Sequence, residues 1–115
     1  MRILFDSKKP EFKTPFGCVT PGETVTLHVH IPAAVATRRA EIVLCYEDGS
    51  PARYLEMYRS EQRGDYDIYT GDFSLFAPGL HFYYFQIHDP HGMFRLFKQG
   101  DDTNMEEGGL WQVSC

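Results

Sequence analysis

The sequence lacks long apolar runs and paired cysteines. No stretch approaches the roughly 20 apolar residues that span a bilayer, and residues 1–5 lack the apolar core of a secretory signal. The three cysteines, Cys18, Cys45 and Cys115, are widely spaced and form no C-x-x-C pair, so neither a disulfide framework nor a zinc knuckle is indicated. We therefore expect a cytoplasmic protein with free thiols and no membrane partner.

Basic residues are also scarce. The chain has 11 Lys and Arg against 16 Asp and Glu, which gives a formal net charge of -5. Binding to nucleic acid needs clustered positive charge, whereas the short runs Lys8-Lys9 and Arg38-Arg39 are typical of solvated loops. We expect no nucleic-acid partner.

Sequence motifs of catalysis are absent as well. There is no G-x-S-x-G, no phosphate-binding P-loop and no G-x-G-x-x-G fingerprint. The densest acids lie in a glycine-containing stretch with no apolar surroundings to raise a carboxyl pKa; they are Asp101, Asp102, Glu106 and Glu107. We reject them as catalysts, with a weak calcium site as the alternative. The chain alone is therefore predicted to be no enzyme and to carry no cofactor.

The histidines are the remaining candidates for a metal site. His28 and His30 share one face of a predicted strand, and His88 and His91 flank one turn. No cysteine or carboxylate lies at a supporting offset, and alternating strand positions that face solvent are ordinary places for histidine. We predict no metal.

Alternation of apolar and polar residues is the strongest signal that the sequence carries. From Glu23 to Ile31 every second side chain is apolar, which predicts a half-buried strand entered through the turn pair Pro21-Gly22. Similar signals bounded by Pro, Gly and Asp turns predict further strands at 41–47, 52–58, 66–73, 80–88, 93–97 and 110–115. The stretches 33–39 and 100–109 are predicted to be loops.

Strand signals that recur every 8 to 15 residues, without a helical period, favour an all-β immunoglobulin-like sandwich of the E-set type over a helix-containing fold. An open barrel is the alternative. A length of 115 residues suits one domain, residues 1–115. The final strand stops at Cys115 with no polar tail, so we expect more chain to follow in nature.

Aromatic residues are abundant, with nine Phe, seven Tyr and one Trp. Sugar rings pack their C–H faces on flat aromatic side chains, so exposed rings near polar groups suit a glycan. The rings considered as candidates for carbohydrate binding or domain docking are Trp111, Tyr46, Tyr54, Tyr58, Phe82 and Tyr84.

The segment 80–88 is aromatic on both faces. Alternation places Phe82 and Tyr84 on one face and Tyr83, Phe85 and Ile87 on the other. One set belongs to the core, and we expect the other to need a cover such as a partner domain.

Three segments together resemble the N-terminal sandwich domain of glycoside hydrolase family 13, the α-amylase superfamily that includes α-amylase and pullulanase-type enzymes. The opening F-D-S-K-K-P-E-F-K-T-P-F-G-C-V-T-P-G-E-T-V resembles that domain's start, with Cys18 in place of a usual small residue. The segment P-G-L-H-F-Y-Y-F-Q-I resembles its aromatic strand, and L-W-Q-V-S resembles its terminal strand.

The resemblance implies an accessory domain that precedes a catalytic (β/α)₈ barrel, which lies outside these residues. Such a domain would support the barrel of a starch-, maltodextrin-, pullulan- or glycogen-processing enzyme, mediate a homodimer, or extend the site for an α-glucan oligosaccharide. A stand-alone carbohydrate-binding module and an immunoglobulin-like protein-interaction module unrelated to sugars are the alternatives.

Overall fold

The computed structural model describes residues 1–100 and 102–115. In this part of the chain it contains one short 3₁₀ helix, Ala33–Val35, and ten β-strands. The strands are β1 (Lys13–Thr14), β2 (Thr24–Pro32), β3 (Arg39–Cys45), β4 (Pro51–Glu56), β5 (Tyr58–Arg63), β6 (Tyr66–Ser74), β7 (Leu80–Asp89), β8 (Gly92–Gln99), β9 (Asp102–Asn104) and β10 (Trp111–Ser114).

The strands form two antiparallel sheets. The four-stranded sheet A has the order β1-β2-β6-β5, and the six-stranded sheet B has the order β4-β3-β7-β8-β9 with β10 also paired to β7. The chain changes sheet between β2 and β3, between β4 and β5, and between β6 and β7, which is the connectivity of an immunoglobulin-like sandwich. The predicted fold class is confirmed.

The core lies between the two inner faces. Alternation along β2 buries its four apolar side chains almost completely: Val25, Leu27, Val29 and Ile31. From the opposite sheet, Tyr83, Phe85 and Ile87 of β7 are fully buried. The predicted division of β7 into a core face and an outer face is therefore correct.

An aromatic cluster fills one end of this core. Trp111 of β10 stacks on Tyr83 at a centroid distance of 5.9 Å and meets Phe85 at 5.3 Å. Phe5 contacts the same three rings, with its centroid 5.0 Å from that of Trp111 and 4.8 Å from that of Phe85. The four rings thereby join β10, β7 and the N-terminal segment.

The N-terminal segment closes the side on which sheet B is wider than sheet A. The amides of Leu4 and His30 each donate to the other residue's carbonyl, at 2.9 and 3.0 Å. The Thr103 hydroxyl donates to the carbonyl of Ile3 at 2.8 Å, and Arg2 forms an ion pair with Asp102. Residues 2–4 therefore connect β2 of sheet A to β9 of sheet B.

Sequence alternation missed three strands, β1, β5 and β9, and one helical turn; β1 has only two residues, too few to show a period. β5 carries no buried side chain because it is an edge strand, and its charged residues and the irregular pairing between Arg59 and Glu61 protect that edge from association. The predicted loop 100–109 contains β9, and the predicted loop 33–39 contains the 3₁₀ helix and the first residue of β3. The strand predicted at 52–58 ends at Glu56, and the buried Met57 separates it from β5, which begins at Tyr58.

The strand directions define two ends of the sandwich. At the first, which we call the C-terminal pole, Ser114 of β10 pairs with Leu80, and the turns 46–50 and 75–79 lie nearby. We call the other end the opposite pole; there the 3₁₀ helix lies near the turn between β7 and β8.

Gly71 of β6 lies on the inner face opposite Leu27, where the core has no room for a side chain. A Cβ atom there would come within 2.6 Å of Ile42 Cδ1 and 3.1 Å of Met57 Cγ. We predict that Gly71→Ala lowers the free energy of unfolding by about 1–3 kcal/mol through overpacking. Urea denaturation measures this change.

The double variant Gly71→Ala with Ile42→Val removes the clashing Cδ1 atom. It should lose less stability than the sum of the two single variants, because each single variant leaves either a clash or a cavity. Strict additivity would contradict the proposed contact.

Candidate binding and docking surfaces

The outer face of sheet B carries an aromatic strip formed by Tyr54, Val43, Tyr84 and Phe97. Val43 of β3 pairs with Tyr54 of β4 on one side and with Tyr84 of β7 on the other. The rings of Tyr84 and Phe97 lie 5.3 Å apart at 34°. The strip therefore crosses four neighbouring strands.

This strip is largely covered by its own side chains. Tyr84 is only 5% exposed and Val43 is fully buried, although both lie on the outer face of the sheet, whereas Tyr54 is 51% exposed. Burial raises the pKa of Tyr84, and a hydrogen bond with Arg95 partly opposes that rise. The ring of Tyr84 is therefore not available to stack on a ligand or a partner, and Phe82 is half-buried.

The other end of the same face is polar. His88 Nε2 lies 2.7 Å from Glu41 Oε1, and Gln86 donates its amide to the same oxygen at 3.2 Å. The Arg39 guanidinium lies 3.7 Å from that carboxylate. Glu41 therefore joins β3 to β7, and its Oε1 atom is occupied by these neighbours.

Trp111, one of the predicted binding or docking residues, does not lie on the surface. It is 2% exposed and belongs to the aromatic cluster of the core, so it can neither stack on a sugar nor contact a docked domain. Its strand, β10, carries the alternating burial of a sheet with one face inward, and the tryptophan is on that inward face. The sequence alone did not show which face of this strand points inward.

The six candidate rings do not converge on one site. Tyr54, Phe82 and Tyr84 share the outer face of sheet B, and Tyr46 follows β3 at the C-terminal pole. Tyr58 is exposed on β5, in the other sheet. Only Tyr54, Phe82 and Tyr84 therefore share one face.

The sequence analysis did not consider several exposed apolar side chains, three of which lie at or near the C-terminal pole. Phe16, Phe76 and Leu80 are exposed by 74%, 72% and 53%, and Phe76 and Leu80 lie at the C-terminal pole with Tyr46. Phe16 shares a cleft with residues 112–114 of β10. One sequence signal could have identified them: an aromatic residue inside a turn of Pro and Gly, as in Pro15-Phe16-Gly17, is not expected to contact the core.

The histidines and acids do not form a metal centre within the described part of the chain, where no three His, Cys, Asp or Glu residues are grouped suitably. His28 Nδ1 lies 2.8 Å from the Thr70 hydroxyl. Asp101 lies outside the described residues, Asp102 pairs with Arg2, and the amides of Glu106 and Glu107 donate to Asn104 Oδ1. Among the residues described, no helix is both long and apolar enough to cross a membrane.

His30 differs from the expected solvent-facing histidine. It is 8% exposed, and its ring centroid lies 4.6 Å from that of Phe12 and 6.4 Å from that of Tyr66. Burial lowers the pKa of His30 below its ordinary value of 6.5; Arg63 and His28 add to this effect, while Glu11 and Glu61 oppose it.

No protein-family model matches the chain, and no curated protein matches it in sequence. A search of solved structures gives a cyclomaltodextrinase, with a TM-score of 0.67 and 12% sequence identity. The chain is similar in fold to part of that protein. The similarity covers 98% of this chain but only 19% of the cyclomaltodextrinase. At this identity the likeness establishes the fold, and the function of the larger protein does not transfer with it.

The lowered pKa of His30 predicts acid sensitivity. Because the unfolded chain protonates this histidine more readily than the folded chain does, the free energy of unfolding should fall as the pH decreases from about 6.5 towards the lower native pKa. Urea denaturation between about pH 7.5 and pH 5 measures this slope.

The variant His30→Gln should show a shallower loss of stability in this range. His91→Gln, at an exposed turn, is the matched control and should keep the native slope. An unchanged slope in His30→Gln would show that His30 is not the responsible group.

Proposed function

We propose that this chain is a non-catalytic accessory domain of an α-glucan-processing enzyme of the α-amylase superfamily, in which it packs against a catalytic barrel. The observation that carries the proposal is the unequal coverage in the structural comparison. Nearly the whole chain matches a segment that makes up only 19% of a cyclomaltodextrinase. The three sequence segments that resemble the family 13 sandwich support it independently.

The surface best suited to dock the barrel is the C-terminal pole. Monomeric proteins rarely expose contiguous large apolar side chains, and such patches mark interaction sites. Phe76, Leu80 and Tyr46 are exposed there, with Phe16 beside the adjoining strand β10. This differs from the expected docking surface, because Trp111 is in the core and Tyr84 is already covered.

The path of the chain supports the same surface. Cys115 exchanges backbone hydrogen bonds with Gly79 at 3.0 and 2.9 Å, so the last residue is fixed beside the turn that presents Phe76 and Leu80. A barrel joined after Cys115 would start next to these side chains. The apolar pole would then be covered at little cost in linker entropy.

The proposal is tested with the longer protein of which we propose this chain is a part. Phe76→Ser with Leu80→Ser should leave the thermal midpoint of the isolated chain nearly unchanged, because both side chains are exposed. In the longer protein it should lower the midpoint of this domain by several degrees, since about 1 kcal/mol shifts a domain of this size by roughly 4 °C. Calorimetry measures both.

Tyr58→Ser is the control, because Tyr58 is equally exposed but lies on β5, away from the pole. A stop codon after Cys115, or a downstream sequence without a barrel, would refute the proposal and favour a protein-interaction module unrelated to sugars. Equal effects of the variants in the isolated and longer proteins would refute the docking surface.

A second candidate function is glucan binding at Tyr54. Its half-exposed ring stands at the edge of the aromatic strip, on the same face as Tyr84 and the Arg95 side chain that hydrogen-bonds Tyr84. An aromatic platform next to polar groups matches the chemistry of a sugar ring.

Titration with maltoheptaose, followed by backbone amide shifts, tests this function. Trp111 fluorescence is a poor reporter because the indole is buried. Saturable shifts around Tyr54 that disappear in Tyr54→Ala but persist in Tyr58→Ala are expected for a glucan site. No saturable shift at millimolar sugar would exclude it.

A further inference from the structure

A groove of about 640 Å³ lies at the opposite pole, away from every surface considered above. It exists because sheet B is wider than sheet A. Phe94 and Leu96 of β8 point inward, like their partners Ile87 and Phe85, but no strand of sheet A covers this part of β8. Leu96 is nevertheless fully buried, whereas Phe94 stays partly exposed.

The groove has apolar walls and adaptable rims. Phe94, Val35 and Ile3 line it, while Met1 and Met105 stand at its rims with 75% and 53% of their surface exposed. Methionine side chains are flexible and polarisable, and they adjust to apolar groups of irregular shape. The volume falls within the roughly 300–1,000 Å³ range of ligand sites.

The wall next to the 3₁₀ helix is held in place before any ligand binds. The Ala33 amide donates to the carbonyl of Asp65 at 2.8 Å, and the Ala36 amide donates to Ala33 at 3.0 Å. Ala36 closes this turn in the left-handed conformation, with φ of 56°. The apolar surface of Val35 is thus presented by a fixed turn.

The rim is acidic. Asp89 and Glu106 line it, and Asp89 is fixed because its Oδ1 accepts the amides of His91 and Gly92, both at 2.9 Å. Arg2 and the amino group of Met1 also line the groove, but Asp102 pairs with Arg2, so the three carboxylates of Asp89, Asp102 and Glu106 outnumber these two cations. The groove therefore complements a positively charged ligand with an apolar part.

We propose that this groove binds a short segment of another protein in which an apolar side chain is flanked by lysine or arginine. The groove is open along one side and lies opposite the surface proposed for barrel docking, so this interaction is independent of the proposed function. The apolar side chain would fill the space between Val35 and Phe94, and the flanking cations would lie at Asp89 and Glu106.

Three synthetic peptides of equal length test the proposal with the 115-residue chain. One combines leucine with lysine, one combines leucine with glutamate, and one combines serine with lysine. The first should give saturable amide shifts at Val35, Phe94 and Met105 that weaken at high salt. The other two should bind at least about tenfold more weakly, because each lacks one of the two complementary features.

The variant Val35→Arg fills the groove and should weaken binding of the leucine-lysine peptide about tenfold or more. Tyr58→Arg adds the same charge on β5 and should not. Amide shifts elsewhere in the spectrum report whether each variant stays folded. Glu106→Gln, at the exposed rim, is a second variant that should weaken binding, because it removes one of the two rim carboxylates.

Several outcomes would overturn the proposal. They are equal binding of all three peptides, shifts that map away from the groove, and unchanged binding in a folded Val35→Arg variant. Binding of an alkyltrimethylammonium ion without binding of the leucine-lysine peptide would assign the groove to a small amphiphile instead of a protein segment.

Discussion

The contact of Trp111 with Tyr83, Phe85 and Phe5 is the constraint on which the rest of the structure depends. Aromatic side chains bury about 150–250 Å² each and gain further from offset or edge-to-face geometry. Here they join the last strand, the central strand and the N-terminal segment, which are far apart in sequence. Trp111 is buried in this cluster and is not available for binding. The surfaces that remain exposed are the aromatic strip, the C-terminal pole and the groove at the opposite pole.

The unequal width of the two sheets determines where those surfaces lie. Sheet B has six strands and sheet A has four, so the inner face of β8 needs a cover from outside sheet A. Residues 2–4 supply it through the backbone pair of Leu4 with His30 and the hydrogen bond from Thr103 to Ile3. Where this cover ends, the groove begins. The exposed side chains of Tyr46, Phe76 and Leu80 lie at the C-terminal pole, and the methionines Met1 and Met105 lie at the groove.

The sequence predicted the fold well because burial of one face imposes a period of two, and β2 and β7 follow it closely. It failed at β5, where an edge strand with no buried side chain leaves no such period, and at β9, which is too short to show one. The exposure of the candidate rings was harder to predict, because alternation assigns residues to opposite faces without saying which face is inward. Tyr54 stays exposed and Trp111 does not, although both are aromatic strand residues. The burial of His30 depends on Phe12, a contact made by a turn between residues 6 and 12 that no local pattern indicates.

Hydrogen exchange, compared between this chain alone and the longer protein of which we propose it is a part, tests the central claim most directly. The account predicts that the backbone amides near Phe16 and those of Phe76 and Ala77 exchange rapidly in the isolated chain and become protected in the longer protein, because a docked domain covers the C-terminal pole. Amides of β2 and β7 should be protected in both, since the core does not depend on the neighbour. Equal exchange at the C-terminal pole in the two proteins would contradict the account.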